Sequence, residues 1–222
     1  MTARTLPLGV LASGRGSNLQ AILDAIASGS LAAAVNVVVS DVAEAFALDR
    51  ARRAGAPAVF VDPRCPGGKA AYEKRVAEVL REHGVELVVL AGYMRVCGPG
   101  LLAAFPGRIF NIHPSLLPAF PGLHVQRQAL EHGARFSGCT VHFVDAGVDT
   151  GPIVAQAVVP VLDADTEETL AARILRQEHR VYPHAIRLFA EGRLRREGRR
   201  VLVDAPTPGA DDIAIVQPPL PA

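Results

Sequence analysis

The sequence predicts an α/β protein: a doubly wound, mainly parallel sheet with helices on both faces, and antiparallel additions in the C-terminal half. Four short apolar runs alternate with helical patterns over roughly the first 90 residues, as parallel βαβ units do. A glycine-rich turn joins the first run to the first helical pattern. Later, two strand-like runs are separated by an 8-residue connection containing Asp and Gly, so the two strands can run antiparallel.

Apolar spacing places the elements of the first half. The predicted strands are residues 8–12, 35–39, 58–61 and 87–90. The predicted helices are residues 18–27, 43–54 and 69–83. Gly84 follows the third helix, where a left-handed cap is common. The order of these elements is typical of a Rossmann-type half.

The second half is less regular. Its predicted strands are residues 108–112, 138–144 and 153–159, and a short helix is predicted at 125–132. Thr166 is a suitable N-cap for a long helix that extends to about residue 191, with a perturbation expected at Pro183. We expect residues 1–203 to form one domain and residues 204–222, which contain five prolines, to be poorly ordered.

Composition excludes several classes of protein. The 23 basic and 22 acidic residues nearly cancel, which does not fit a general nucleic-acid binder. No apolar run is long enough to cross a membrane. The three cysteines lack CxxC spacing, which argues against a disulfide framework or structural zinc and favours a cytoplasmic location. A late group of arginines is expected to occupy a solvated helix end and turn: Arg193, Arg195, Arg196, Arg199 and Arg200.

The glycine-rich turn at residues 13–18 reads Ser-Gly-Arg-Gly-Ser-Asn. Glycines let backbone N–H groups approach a ligand, and the following helix N-terminus favours an anion. The motif is neither a Walker A loop nor the dinucleotide fingerprint, because the Gly-Lys-Ser/Thr and the third glycine are missing. Spacing alone leaves two interpretations open, a phosphate site or a tight turn with an N-cap.

A second polar group follows the fifth predicted strand. Asn111 and His113 are two residues apart, so in an extended chain their side chains point the same way at the strand's C-terminal end. Ligands of open α/β sheets bind at that end. Asp149 lies in a glycine-flanked loop, and a carboxylate close to His113 would orient its ring and favour its charged form. The alternatives are a buried, satisfied histidine and an aspartate that only makes turn hydrogen bonds.

Several segments, in register over roughly residues 8 to 190, resemble the glycinamide ribonucleotide formyltransferase family of folate-dependent purine synthesis. They read SGRGSNLQAI, VVLAGYMR, NIHPSLLPAFPGLHVQRQAL, GCTVHFVDAGVDTGP and QEHRVYP. The resemblance implies a formyltransferase-like fold and transfer of a formyl group from 10-formyltetrahydrofolate to the ribonucleotide amine. It implies no metal and only small-molecule partners, and we expect a monomer or weak homodimer.

The resemblance also implies site residues. The catalytic set is Asn111, His113 and Asp149. The ribonucleotide site is Gly16, Ser17, Asn18, Gln177 and Glu178. The formyl-folate site is Lys69, Met94, Arg95, Val96, Cys97, Asn111, Asp145, Ala146, Gly147 and Val148. Lys69 stands where relatives carry an arginine, and the two side chains are not equivalent donors.

Three rival functions fit parts of the sequence. A 10-formyltetrahydrofolate hydrolase shares the Asn-x-His and Asp residues, but it holds no phosphorylated acceptor and has no need of the glycine loop. A transfer-RNA formyltransferase is expected to carry an added C-terminal RNA-binding domain, for which this chain is too short. A phosphate-sensing protein would use the glycine loop but not the Asn111, His113 and Asp149 set.

Overall fold

The structure is a computed structural model that describes residues 4–204. Its strands are β1 Leu6–Leu11, β2 Ala33–Ser40, β3 Ala58–Phe60, β4 Leu87–Leu90, β5 Ile109–His113, β6 Phe136–Phe143, β7 Ile153–Pro160, β8 Leu194–Glu197 and β9 Arg200–Val203. Its helices are α1 Ser17–Ala27, α2 Phe46–Arg53, α3 Gly68–Glu82, α4 Pro99–Ala104, α5 Val125–Glu131 and α6 Glu167–Ala190.

Seven strands form one sheet in the order β3-β2-β1-β4-β5-β6-β7. The first five strands pair in parallel, whereas β6 runs antiparallel to both β5 and β7. The predicted fold class is therefore confirmed, including the antiparallel additions. Strand order reverses between β1 and β4, and such a switch point opens a crevice at the carboxyl ends of the strands.

Helices cover both faces of this sheet because successive strand residues point to opposite sides. In β4, Leu87 and Val89 belong to one core cluster, and Val88 and Leu90 belong to the other. The first cluster contains buried residues of α1, α2, α5 and α6, and the second contains those of α3 and α4. All four strand side chains are at most 5% exposed, so β4 is a central strand buried on both faces.

Two features differ from the sequence-based expectation, and the first is the helix α4, which was not predicted. The N–H of its N-cap residue Gly98 donates to Glu73 Oε1, a distant carboxylate, at 2.6 Å. The helix α6 extends to Ala190, close to its predicted end at about residue 191. Pro183 does not interrupt it, since Tyr182 and Ile186 on either side are fully buried and hold the helix by packing.

The expectation of a helix end and turn for the late arginines is wrong, because this region is a β-hairpin. Gly192 and Gly198 adopt φ of 68° and 59°, so the first ends α6 and the second forms the hairpin turn. The strands β8 and β9 pair antiparallel, and Leu194 and Val201 pack against the main core. The expectation for the proline-rich tail concerns residues 205–222, which lie outside the described residues.

Candidate active site

The glycine loop joins β1 to α1 at the switch point. Gly16 has φ of 68°, and a Cβ there would lie 2.8 Å from Ala47 Cα, so only glycine fits. Among the described residues, the first turn of α1 has no acidic side chain and its N-cap residue supplies no side-chain acceptor. The positive end of the helix dipole therefore has no anionic group of its own, which suits a bound anion.

Asn18 and Glu178 form a buried pair beside this loop. Asn18 Nδ2 donates to Glu178 Oε2 at 2.7 Å, which joins α1 to α6. Burial raises the pKa of the Glu178 carboxyl, and the hydrogen bond from Asn18 partly opposes that shift. Asn18 Oδ1 is buried and has no hydrogen-bond partner within residues 4–204. The pair can therefore accept and orient a polar group that enters next to the loop.

Gln177 is placed differently from its neighbour Glu178. Its side chain lines an open groove along α6 together with His179 and Arg180, and its Oε1 accepts from Arg180 Nη1 at 3.1 Å. Helical rotation separates adjacent side chains by about 100°, so the two cannot both face Asn18. The structure thus joins Glu178, but not Gln177, to the rest of the predicted ribonucleotide site.

Asn111 and His113 extend from β5 towards Asp149, as their spacing predicted. The Asp149 carboxylate lies 3.3 Å from His113 Nδ1, accepts from Asn111 Nδ2 at 3.4 Å and accepts from the Gly122 N–H at 2.9 Å. His113 is 5% exposed. One buried carboxylate therefore organises both strand side chains and the loop that follows them.

The second ring nitrogen of His113 also faces an oxygen. Its Nε2 lies 2.9 Å from the carbonyl of Phe120. The ring is therefore held between two oxygen atoms, which fixes its plane. Ser115 Oγ donates to the Ala119 carbonyl at 2.6 Å and lies 3.1 Å from the Phe120 carbonyl, and Thr140 Oγ1 donates to the Ser115 carbonyl at 2.7 Å. These bonds hold the loop that orients the ring.

His142 is a site residue that the sequence reasoning missed. It pairs with Asn111 across β5 and β6, and its Nε2 lies 3.1 Å from Asn111 Nδ2. Burial lowers the pKa of His142, which keeps the ring neutral. Its Nδ1 donates to the Phe143 carbonyl at 2.8 Å, so Nε2 is left as an acceptor for the Asn111 amide. The strand register, had it been known, would have identified this contact.

A cavity of about 350 Å³ opens in front of these residues. Its rim carries large apolar side chains that are half-exposed or more: Met94, Val96, Leu123 and Val148. Exposed apolar side chains that converge on one cavity are typical of a ligand site. Eight of the ten residues predicted for the folate site line it: Met94, Arg95, Val96, Cys97, Asn111, Asp145, Gly147 and Val148.

The two other predicted folate residues do not line the cavity. Ala146 lies in the same loop as Asp145 but is not part of the wall. Lys69 lies at a small neighbouring cavity that shares Arg95, Val96 and Cys97 with the larger one, and its ammonium is 3.7 Å from Glu73 Oε1. A ligand in the main cavity reaches Lys69 only if it extends past this segment.

Backbone strain is concentrated at this site. Phe120, His124 and Asp149 adopt φ of 52°, 56° and 55°, and they are the non-glycine residues with positive φ among residues 4–204. Such conformations cost about 1 kcal/mol or more each and persist where the surroundings enforce them. Phe120 presents its carbonyl to His113, and the other two line the cavity. The strain therefore accompanies the arrangement of the polar groups.

Two contacts join the glycine loop and the cavity into one site. Ser13 Oγ accepts from the Met94 N–H at 2.9 Å, and the Ser13 N–H donates to the Gly92 carbonyl at 3.0 Å. Tyr182 is fully buried in α6, and its hydroxyl donates towards the Leu90 and Phe110 carbonyls at 2.9 and 3.2 Å. These hydrogen bonds fix the glycine loop, the cavity wall and the C-terminal end of β5 relative to one another.

The residues of the site suit direct acyl transfer, in which no covalent bond forms between a substrate and the protein. Burial raises the pKa of the Cys97 thiol to about 12, so it remains a weak nucleophile. Within the described range 4–204, no group of three or more His, Cys, Asp or Glu side chains is placed to hold a metal ion. Over the same residues, no helix has the length and apolar character needed to span a membrane. An amide and an imidazole beside a cavity can instead stabilise a developing oxyanion.

Comparison with known proteins agrees with acyl-transfer chemistry at this site. The profile of the family described as Formyl transferase matches residues 8–186. The phosphoribosylglycinamide formyltransferase of Escherichia coli K12 is 45% identical over 84% of this chain and 88% of that protein. The trifunctional purine biosynthetic protein adenosine-3 of Drosophila pseudoobscura pseudoobscura is 48% identical over 84% of this chain, but the chain spans only 14% of its length.

Solved structures give the same result. The glycinamide ribonucleotide transformylase 1 of Symbiobacterium toebii is 60% identical, with a TM-score of 0.88 over 90% of this chain and 94% of that one. A formyltetrahydrofolate deformylase of Pseudomonas syringae is 27% identical, with a TM-score of 0.84 over 90% of this chain and 66% of that one. The chain therefore belongs to the formyl transferase family, and its resemblance to the phosphoribosylglycinamide formyltransferases is confirmed.

Proposed function

We propose that this chain transfers the formyl group of 10-formyltetrahydrofolate to the amine of N1-(5-phosphoribosyl)glycinamide. The products are formylglycinamide ribonucleotide and tetrahydrofolate, a step of de novo purine synthesis. The observation that supports the proposal is that hydrogen bonds hold two subsites next to each other. A polar set of Asn111, His113 and Asp149 lies in the cavity, and the glycine loop with Asn18 and Glu178 lies beside it.

The folate would occupy the cavity with the apolar rim. Its pterin ring is flat and polar at its edges, and the segment from Met94 to Cys97 faces the loop from Asp145 to Asp149 across that space. Backbone groups of both segments can satisfy the ring edges, while the apolar rim covers its faces. Lys69 lies beyond this segment, where it would meet a carboxylate of the glutamate end.

The acceptor would enter from the glycine loop. Its phosphate meets the N-terminus of α1 at Ser17 and Asn18, where the N–H groups and the helix dipole favour an anion. The carboxylate of Glu178, held by Asn18, accepts a hydrogen bond from the glycinamide end. Holding both reactants in place replaces a bimolecular search and can contribute several kcal/mol to catalysis.

In the reaction, the amine nitrogen attacks the formyl carbon and the carbonyl oxygen gains negative charge. Asn111 and His113 stabilise that oxygen by each redirecting an N–H to it, the Asn111 amide from its 3.4 Å contact with Asp149 and the His113 ring from the Phe120 carbonyl, while Asp149 orients the ring. The new carbon–nitrogen bond then remains as the bond to N10 of the folate breaks. One proton leaves the attacking nitrogen and one is gained by N10, through His113 or an ordered water. None of these steps requires a covalent bond between a substrate and the protein.

Hydrolysis of 10-formyltetrahydrofolate is the alternative, and the deformylase likeness favours it at the level of fold. That relative is the more distant one, at 27% against 60% identity. The acceptor side also distinguishes the two reactions, because water needs neither an anion loop nor a buried carboxylate beside it. The N-terminus of α1, which has no acidic side chain in its first turn, and the Asn18–Glu178 pair therefore support transfer to a phosphorylated amine.

Mass spectrometry tests the proposal directly. The purified protein is incubated with 10-formyltetrahydrofolate labelled with ¹³C in the formyl group and with glycinamide ribonucleotide. The expected product is formylglycinamide ribonucleotide that carries the label on its terminal amine. Labelled free formate with an unchanged ribonucleotide would support the hydrolase instead.

The biological setting is part of the proposal. We propose that residues 1–203 act as one catalytic domain, that the protein works in the cytoplasm, and that it is a monomer or weak homodimer. Sedimentation velocity over a hundredfold range of concentration measures the oligomeric state. A stable assembly at the lowest concentration would contradict that part.

A further inference from the structure

The glycine loop packs against α2, a helix whose residues take no part in the proposed chemistry. The Ala47 N–H donates to the Gly14 carbonyl at 3.0 Å, and Gly16 packs directly on Ala47. These contacts hold the loop against the first turn of α2. The direction of the loop's own N–H groups depends on a further residue of α2.

Arg50 supplies the remaining contacts. Its Nε donates to the carbonyl of Arg15 at 2.9 Å, and its Nη1 donates to Gln20 Oε1 at 2.8 Å. Its guanidinium lies 4.8 Å from the centre of the Phe46 ring, which fixes the plane of the fork. One planar group therefore links α2 to the glycine loop and to the first turns of α1.

The carbonyl contacts determine where the amides point. In a planar trans peptide, the C=O of one residue and the N–H of the next point in opposite directions. With the Gly14 and Arg15 carbonyls bonded to α2, the N–H groups of Arg15 and Gly16 point away from it. The charge of Arg50 adds a positive potential behind the loop, which favours an anion in front of it.

We infer that Arg50 is a positioning residue for phosphate recognition: it holds the glycine loop in its anion-binding form and so makes the enzyme selective for a phosphorylated acceptor. The inference rests on the proposed function. It predicts that loss of Arg50 weakens phosphate binding specifically, because Arg50 is not one of the described residues that line the cavity.

The test compares two substitutions, Arg50→Met and Arg50→Lys. Methionine removes the charge and both hydrogen bonds, whereas lysine keeps the charge but cannot span the two acceptors. Both are expected to raise KM for glycinamide ribonucleotide by about tenfold or more, the scale of a lost charged hydrogen bond. kcat and the KM for 10-formyltetrahydrofolate should change by less than about threefold.

One further acceptor and one matched variant make the test specific. With glycinamide ribonucleoside, which lacks the phosphate, kcat/KM of both variants should stay within about threefold of the unaltered protein. Arg53→Met is the control: Arg53 lies on the same helix, 5.4 Å from the same Phe46 ring, and among residues 4–204 it has no hydrogen bond to the loop. It should behave as the unaltered protein does.

Equal losses with the phosphorylated and unphosphorylated acceptors would overturn the inference, and so would a normal KM in either Arg50 variant. Thermal denaturation with inorganic phosphate separates this from failure of the proposed function. Phosphate should raise the Tm of the unaltered protein and of Arg53→Met, but not of the Arg50 variants. If no acceptor is turned over at all, the proposed function fails, and the Tm shifts alone decide the role of Arg50.

Discussion

Replacing Asp149 with Asn removes one negative charge from the centre of the site and changes little else. The side chains have the same size, and Asn adopts positive φ about as readily as Asp, so the backbone at φ of 55° is retained. The amide oxygen can still accept from the Gly122 N–H. That same oxygen position lies 3.3 Å from His113 Nδ1, in a pair whose side chains are only 6% and 13% exposed. What is lost is the negative charge beside the ring and the second oxygen, which accepts from Asn111 Nδ2 at 3.4 Å.

The size of the effect follows from this burial. Removing one partner of a buried, hydrogen-bonded charge pair costs about 3–5 kcal/mol if the other stays charged. Asparagine keeps the packing and one of the two acceptor oxygens, so folding is expected to lose no more than about 2 kcal/mol. Without the carboxylate that orients both donors, Asn111 and His113 are no longer aimed at the oxyanion, and kcat is expected to fall by about 10²- to 10³-fold.

The assay is steady-state formyl transfer with each substrate varied, alongside urea unfolding at pH 7. Asp163→Asn is the matched control, since Asp163 is 92% exposed and pairs only with Arg135 on the surface. We expect near-normal KM values and a large loss of kcat in Asp149→Asn alone. A near-normal kcat would mean that Asp149 is a turn residue, and the account of His113 would then be wrong.

His113→Ala and Asn111→Ala should each lower kcat by about 10²-fold or more with folding largely intact, the scale of one oxyanion donor; near-normal turnover in stopped-flow assays would remove that residue from the chemistry. Glu178→Gln keeps the size and the hydrogen bond from Asn18, so it should raise the ribonucleotide KM but not the folate KM. Because burial raises the Glu178 pKa, the unaltered protein should lose stability relative to this variant as pH rises above about 4.3, and urea unfolding at pH 5 and 8 checks the sign. The hydrogen bond from Arg173 Nη2 at 2.7 Å lowers the pKa of Asp165, so Asp165→Asn should cost about 1.5–3 kcal/mol at pH 7. That difference should shrink as pH falls below about 4, and a difference that does not change with pH would contradict the ion pair.

Local patterns were sufficient for the central sheet and for part of the site. Apolar runs located all five parallel strands, because strands of a parallel sheet that is covered on both faces are largely apolar. The two-residue spacing of Asn111 and His113 correctly placed both side chains on one side of β5. The glycine-rich turn at residues 13–18 was identified as a candidate anion site, and the φ of 68° at Gly16 gives the physical reason for one of its glycines.

Long-range contacts were not accessible in the same way. The start of α4 depends on Glu73, which is 25 positions earlier in the chain. His142 meets Asn111 only through the register of β5 and β6, and Arg50 reaches the glycine loop from another helix. The family resemblance grouped Gln177 with Glu178, and which of these two adjacent side chains faces Asn18 becomes apparent only once α6 is packed.

We propose that the site transfers a formyl group to a phosphorylated amine and does not release it to water. The rate of 10-formyltetrahydrofolate consumption by the unaltered protein, measured with and without glycinamide ribonucleotide, tests this proposal. We expect rapid consumption only when the ribonucleotide is present, with one formylated product per folate consumed. Equal rates in the two reactions would identify a hydrolase and contradict the proposal.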